Sequence, residues 1–372
     1  MGDTLVYLKE YGNYPDLSGV RRVLVVIFKN IGDVVLSSPV FSVLKKELPN
    51  AVIDAAVNSG TETVLMGNPA INRIHVLDRA ALKGNPLKRL VRELEFIRSV
   101  RSLNYDLSIV LSTGGRGKKL GLFSGAGIRV GIGSGKSPML LGKPLFTVSV
   151  QQAPAHRHYV ERDLDCLRKI GLFPDKEMRA TRFFEGEEAR ARAEKLLADN
   201  GINRGDPYVL FHPTSRWMFK CWPYEKAAEL IDRLNKELNA SVVLTSGPDS
   251  VEFSYMKYVL NSINSNVTDL SGKLSLRELG AFIRNARMFI GVDSAPMHIA
   301  AAVKTPAVAL FGPSSELDWG PWGEGHKVIT AGSFTCRPCN QDGCGGSKWS
   351  ECMEKIEVET VFRNVKALLD SK

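Results

Sequence analysis

Arg22-Val23-Leu24-Val25-Val26-Ile27-Phe28-Lys29-Asn30-Ile31-Gly32-Asp33 is the stretch that decides the fold. Its apolar core is continuous and β-branched and lies between charged residues. That pattern belongs to a strand buried on both faces. Lys29 to Asp33 then reads as a tight loop. From Val34 to Leu48 the apolar positions change to helical spacing (Leu36, Val40, Val43, Leu44, Leu48), and Pro49-Asn50 stops the run. A buried strand, a tight loop and an amphipathic helix open a doubly wound α/β domain.

Moving outward, the theme continues. Strands are expected at Ala51–Val57, Arg73–Leu77, Asp106–Leu111 and Ile128–Ile132, with a basic amphipathic helix over Leu87–Leu103 and a glycine-rich stretch at Gly114-Gly115-Arg116-Gly117. The second half repeats the alternation. Strands are expected at Tyr208–His212, Ser241–Thr245, Met288–Val292 and Ala307–Phe311. Helices are expected over Pro223–Leu238, from Asp249 through Ile263, over Leu276–Asn285 and after Pro296. This spacing predicts two Rossmann-like domains with parallel sheets, residues 1–180 and 181–355. A final helix in 356–372 has no following strand and is expected to pack back on the first domain. Ligands of such sheets bind beyond the carboxyl ends of the strands, so the loops after strands are where chemistry is expected.

With 372 residues, 44% apolar and 24% charged, the chain is neither disordered nor collagen-like and is long enough for two cores. No apolar run approaches the ~18–20 residues needed to span a bilayer. Residues 1–20 lack a signal-type apolar segment, so a cytoplasmic location is expected, with any membrane contact peripheral. The charge is uneven. Residues 1–180 hold 26 Lys/Arg and 16 Asp/Glu, a net of +10, whereas residues 181–372 hold 23 and 24, a net of −1. An anionic partner is therefore expected for the first half, unless the charge is only a solvated face.

Several motifs compete for a function. Gly131-x-Gly133-x-Gly135-Lys136-Ser137 imitates a phosphate loop but has the wrong spacing, and no GxGxxG follows the first strand. Nucleoside triphosphatase and dinucleotide readings therefore fail. Asp33 opens a helix after a strand, where it either caps the helix or serves as a general base. Asp293-Ser294-Ala295-Pro296-Met297-His298 puts a small-residue turn at a helix start, a geometry that binds phosphate oxygens. Ser294 can cap or donate there, and His298 stands on the first turns. His212-Pro213-Thr214-Ser215, with Lys220 and Trp222-Pro223, offers two hydroxyls and an ammonium to a pyrophosphate; otherwise it is a solvated loop anchored by Trp222. Cys336, Cys339, Cys344 and Cys352 could accept zinc, but the default is reduced structural thiols.

Lys29-Asn30-Ile31-Gly32-Asp33, His212-Pro213-Thr214-Ser215 with Lys220 and Trp222-Pro223, Val292 to Ala301, and Phe311-Gly312-Pro313-Ser314 occur in this order. Together they resemble the ADP-heptose:lipopolysaccharide heptosyltransferases, family 9 of the glycosyltransferases. Phe219-Lys220-Cys221-Trp222 and Val243 to Asp249 are most similar to the heptosyltransferase III branch. The resemblance implies a GT-B fold, two Rossmann-like domains facing a central cleft, with the lipopolysaccharide acceptor on the first and ADP-L-glycero-β-D-manno-heptose on the second. It implies inverting transfer of the side-branch third heptose onto the inner core, with no required cofactor or metal. Asp33 then matches the base. Thr214, Ser215 and Lys220 match donor-phosphate contacts, Leu274 a position near the adenine, and Asp293 a contact to the donor heptose. Ser294, Ala295 and His298 match the phosphate-binding helix start. His158 matches a recurring position without a role. The His212–Lys220 loop looks a residue longer than in the heptosyltransferase I branch.

Arg116, Lys118, Lys119 and the basic residues of the 87–103 helix are candidate contacts to the anionic lipid A-core acceptor, which implies transient contact with the cytoplasmic face of the inner membrane. Three alternatives stay open. One is a family 9 enzyme for another nucleotide sugar or core position. The others are a nucleic-acid binder using the basic half, which no recognisable motif supports, and a non-catalytic nucleotide-binding module.

Overall fold

The computed structural model describes residues 13–79, 85–133, 139–151, 156–332 and 334–370. It divides into two compact units, residues 1–181 and 182–372. Gly135, Lys136 and Ser137 of the imitation phosphate loop lie outside the described residues.

The first unit is built on one parallel sheet. Its strands are β1 (Arg22–Ile27), β2 (Val52–Asn58), β3 (Arg73–Leu77), β4 (Leu107–Val110) and β5 (Ile128–Ile132), followed by a hairpin of β6 (Met139–Leu140) and β7 (Lys143–Pro144), then β8 (Val148–Val150). The order across the sheet is β3-β2-β1-β4-β5-β8, and only the hairpin is antiparallel. β1 lies between β2 and β4, with Val25 opposite Ala55 on one side and Ile109 on the other. Val23 to Ile27 are fully buried, as a two-faced strand requires. The helices are α1 (Ile31–Leu36), α2 (Ser38–Glu47), α3 (Pro86–Arg101), α4 (Gly115–Phe123) and α5 (Tyr159–Arg168).

The structure refines the sequence reading at two places. The helix expected from Val34 to Leu48 is two helices divided at Ser37, because Pro39 in the first turn of α2 has no N–H to continue the α1 ladder. The glycine-rich stretch after β4, given no element by the sequence, is the start of α4. A Cβ on Gly117 would stand 2.7 Å from Ser112 Cβ, and one on Gly121 2.6 Å from Val110 Cγ2. These glycines let the helix lie against its own strand.

The second unit repeats the plan. β9 (Tyr208–His212), β10 (Ser241–Leu244), β11 (Thr268–Asp269), β12 (Met288–Val292), β13 (Ala307–Phe311) and β14 (Lys327–Thr330) form a parallel sheet in the order β11-β10-β9-β12-β13-β14. Helices α6 (Glu187–Asp199), α7 (Tyr224–Leu238), α8 (Ser250–Ser262), α9 (Leu276–Asn285), α10 (Ala295–Ala302), α11 (Glu316–Trp319), α12 (Glu351–Glu354) and α13 (Val358–Asp370) complete it. The short edge strands β11 and β14 and the helix α6 are additions to the expected set. The closing helix α13 differs from expectation in its packing. Its buried residues Val361, Phe362, Val365 and Leu369 join the core of this second unit, together with Leu230, Ile231 and Leu234 of α7. Trp222 is fully buried in the same core, and its Nε1 donates to Ile356 O at 3.1 Å, fastening the approach to α13.

Phe362→Ala is expected to lower the stability of the second unit by about 3–5 kcal/mol, the cost of truncating a buried aromatic. A denaturant titration showing an unchanged midpoint would place α13 outside that core.

Candidate functional site

Both sheets reverse direction of growth at the same place. β1 neighbours β4 in the first, and β9 neighbours β12 in the second. At such a reversal the loops leaving the two strands diverge, and the crevice between them is the usual ligand site. Apart from Leu274, which follows β11, the expected residues fall on these loops or on the helices they start.

In the first unit, Asp33 lies in the first turn of α1, just beyond β1. Its Oδ2 accepts the Asn30 N–H at 3.1 Å, so it closes the loop as a cap while its second oxygen is not used in that bond. Burial pushes the Asp33 carboxyl above its ordinary value, with Lys29 opposing the shift. Beneath it sits a buried polar cluster that the sequence reading missed. Lys29 Nζ is 3.2 Å from Asp163 Oδ1, and Ser37 Oγ donates to Asp163 Oδ2 at 2.6 Å. Asp163 is 1% exposed, and Lys29 also stands 5.5 Å from the Tyr159 ring centre. Burial works against the Lys29 ammonium, but Asp163 and Asp33 hold it charged and raise its pKa overall. Asp163 shares the apolar stripe Val160, Leu164 and Leu167 of α5. A carboxylate in that register was the available signal. His158, left without a role by the sequence, is the N-cap of α5 and accepts the Val160 N–H on Nδ1 at 3.3 Å.

The loop after β4 joins this edge, since the Phe28 N–H donates to Ser112 Oγ at 2.6 Å. α4 begins there, carrying Arg116, Lys118 and Lys119. Arg116 Nε pairs with Glu93 at 3.0 Å; Arg116 and Lys119 are exposed and Lys118 is half-buried.

In the second unit the structure brings Lys220 and Asp293 together across the reversal. Lys220 Nζ donates to Asp293 Oδ2 at 2.6 Å and lies 4.8 Å from the Trp217 ring centre. The His212–Lys220 loop therefore delivers its ammonium to the sheet edge. A single 3₁₀ turn, Met218–Lys220, does this. Ser294 is the N-cap of α10, and its hydroxyl oxygen is buried with no hydrogen-bond partner among the described residues. Ala295 opens the helix, and His298 is buried within it. Leu274 is half-buried beside Ser275, whose hydroxyl accepts the Glu278 N–H at the start of α9.

The two hydroxyls after β9 differ. Thr214 is fully buried and donates to Glu252 Oε2 at 2.5 Å, so its proton is already committed; Glu252 also accepts the Gly247 N–H at 2.9 Å. Thr214 and Glu252 thus lock the loops after β9 and β10 to each other. Ser215 Oγ accepts the Trp217 N–H at 3.3 Å, which leaves its own proton for another acceptor. His212 pairs with Thr245 Oγ1 at 3.0 Å, and burial pulls its pKa down to about 3, so it is neutral at physiological pH. Ser314, beyond β13, is a further buried hydroxyl without a partner among the described residues. The sequence marked its motif but not its side chain.

Cys336 and Cys344 are exposed, Cys339 is half-buried and Cys352 is buried, all as free thiols. Among the described residues, no group of three or more His, Cys, Asp or Glu stands close enough to hold a metal ion.

Two outcomes follow from the first unit's cluster. Asp163→Ala removes the ion-pair partner of the buried Lys29 ammonium and is expected to cost about 3–5 kcal/mol. Replacing both partners, Lys29→Met with Asp163→Leu, should recover much of this in the same denaturant titration. For Asp33 the raised folded-state pKa means that the folded chain favours the protonated acid. Stability is then highest below the unfolded value near 3.8 and declines as pH rises through the folded pKa. Asp33→Asn escapes that loss. It should melt higher than the native chain at pH 7, with the difference vanishing in acid; a lower melting temperature at pH 7 would contradict this.

Comparison with known proteins adds the family. Residues 93–350 match the model of glycosyltransferase family 9 (heptosyltransferase). Lipopolysaccharide heptosyltransferase 3 of Escherichia coli K12 is 33% identical over 343 residues, which is 91% of this chain and 95% of that protein. A family 9 glycosyltransferase from Veillonella parvula superposes with a TM-score of 0.81 at 23% identity, covering 97% of this chain and all of that one. An Escherichia coli heptosyltransferase solved with ADP gives 0.71 at 19% identity, over 93% and 99%. The structural likenesses show the GT-B fold class. The family match, together with the full-length relative, shows that the chain is a glycosyltransferase and belongs to family 9, the heptosyltransferases.

Proposed function

We propose that the chain transfers L-glycero-D-manno-heptose from ADP-heptose to the lipopolysaccharide inner core, with inversion, as the side-branch third heptose. The observation that carries this reading is the polar cradle beyond β9 and β12: the Lys220–Asp293 pair beside a helix start whose Ser294 hydroxyl is buried without a partner among the described residues. A diphosphate supplies the anion that such donors lack. The similarity to heptosyltransferase 3 supports the branch and the acceptor.

In this mechanism the acceptor oxygen attacks the anomeric carbon as ADP leaves from the opposite face. Negative charge builds on the β-phosphate, where the Lys220 ammonium, the α10 amide groups and the Ser294 hydroxyl are already oriented to stabilise it. Asp293, held by Lys220, is placed to accept a hydrogen bond from a hydroxyl of the donor sugar. Asp33 takes the acceptor proton. The burial that raises its pKa also makes it a better base near neutral pH, and Asn30 fixes its orientation. Arg116, Lys118 and Lys119 meet the acceptor's carboxylates and phosphates. A cytoplasmic location at the inner face of the inner membrane fits an acceptor of this kind.

The direct test combines the protein with ADP-heptose and a core acceptor lacking the third heptose. Mass analysis should show one added heptose, and turnover with only UDP- or GDP-sugars would contradict the donor assignment. Asp33→Ala should lower turnover about 10²–10⁴-fold while ADP binding persists. Lys220→Ala should weaken ADP binding about ten- to hundredfold by calorimetry. An unchanged affinity would remove Lys220 from the donor site.

A further inference from the structure

Among the described residues, helix α3 packs on the core of its unit through its C-terminal turns only. Val100 is buried, and Phe96 and Ile97 pack on the core formed around Leu24, Val26 and Val110. Before Phe96 no residue of the helix is buried. Along that stretch Leu87, Leu90, Val91 and Leu94 are 69, 52, 47 and 42% exposed. Their spacing of three, four and seven places them on one face as a continuous apolar stripe. Single exposed leucines are ordinary, but an aligned set on a helix marks a contact surface. The helix does not need packing to start. Pro86 occupies its first turn, and the Asn85 side chain accepts the Leu87 N–H at 2.8 Å.

The charge around the stripe identifies what covers it. α3 carries Lys88, Arg89, Arg92, Arg98 and Arg101 against Glu93 and Glu95, and Glu93 is already paired with Arg116 of α4. These residues sit in the half of the chain whose net charge is +10. Two copies meeting stripe to stripe would bring this charge against itself, whereas an anionic lipid surface turns it into attraction.

We propose that the N-terminal turns of α3 form an interfacial membrane anchor. The stripe enters the boundary between headgroups and acyl chains of a bilayer containing anionic phospholipid, and the flanking Lys and Arg meet the lipid phosphates. Among the described residues no helix is long and apolar enough to cross a membrane, so this contact is one of lying on the surface. It goes beyond the transferase reading and is measured without donor or acceptor.

The test is flotation of the full chain with vesicles of phosphatidylglycerol and phosphatidylethanolamine, and with vesicles of phosphatidylcholine alone. The native chain should float with the anionic vesicles, less so at high salt, and poorly with phosphatidylcholine. The combined variant Leu87→Ser, Leu90→Ser and Leu94→Ser removes side chains that are already exposed. It should melt as the native chain does yet bind the anionic vesicles at least about tenfold more weakly. Lys88→Glu with Arg89→Glu and Arg92→Glu should also lose binding. Native protein that ignores anionic vesicles, or a serine variant that floats as well as the native chain, would overturn the proposal. So would a native dimer that the serine variant turns into a monomer, which would assign the stripe to a second copy.

Discussion

The structure depends on a reversal of strand order that occurs once in each sheet. Because the first and fourth strands of each unit are neighbours, the loops that leave them emerge side by side at the carboxyl edge. In the second unit this brings Lys220 and Asp293 into contact across 73 residues of sequence. In the first unit it brings the loop that carries Asp33 beside the one that starts α4, tied by Phe28 and Ser112. Neither sheet could do this with its strands in sequential order.

Placing polar chemistry at these edges has an energetic consequence. A buried charge is tolerated only when paired, and both units hold such pairs at these edges. Lys29 with Asp163 and Lys220 with Asp293 are both mostly shielded from solvent. The groups to which function is attached are less fully satisfied than these pairs. Asp33 is pushed toward its neutral form by burial, and the Ser294 hydroxyl has no partner among the described residues. Strain of this kind is kept at working sites and offset by packing elsewhere. The uninterrupted cores around β1 and β9 supply that packing.

Much of the fold was legible because buried parallel strands announce themselves. Val23 to Ile27, Tyr208 to His212 and Met288 to Val292 are apolar runs that no amphipathic helix would show. The errors have local causes. β11 spans two residues, too few to show any period. α4 is rich in glycine, which weakens a helix in isolation, and only contact with β4 explains its presence. The division of α1 from α2 was marked by Pro39, but the apolar spacing ran straight across it. At the site, residues beside turns could be read because loops after strands are where ligands bind. Asp163 and Glu252 were not, since their roles come from partners on other elements. The commitment of the Thr214 proton to Glu252 is likewise a fact of three dimensions.

The central claim is that the loops after β9 and β12 form one diphosphate site. Hydrogen exchange of the full chain with and without ADP tests it most directly. Protection confined to residues 212–222 and 292–300 is the predicted result. Binding of ADP that leaves both segments exchanging as before, or that protects residues 29–37 instead, would contradict the account.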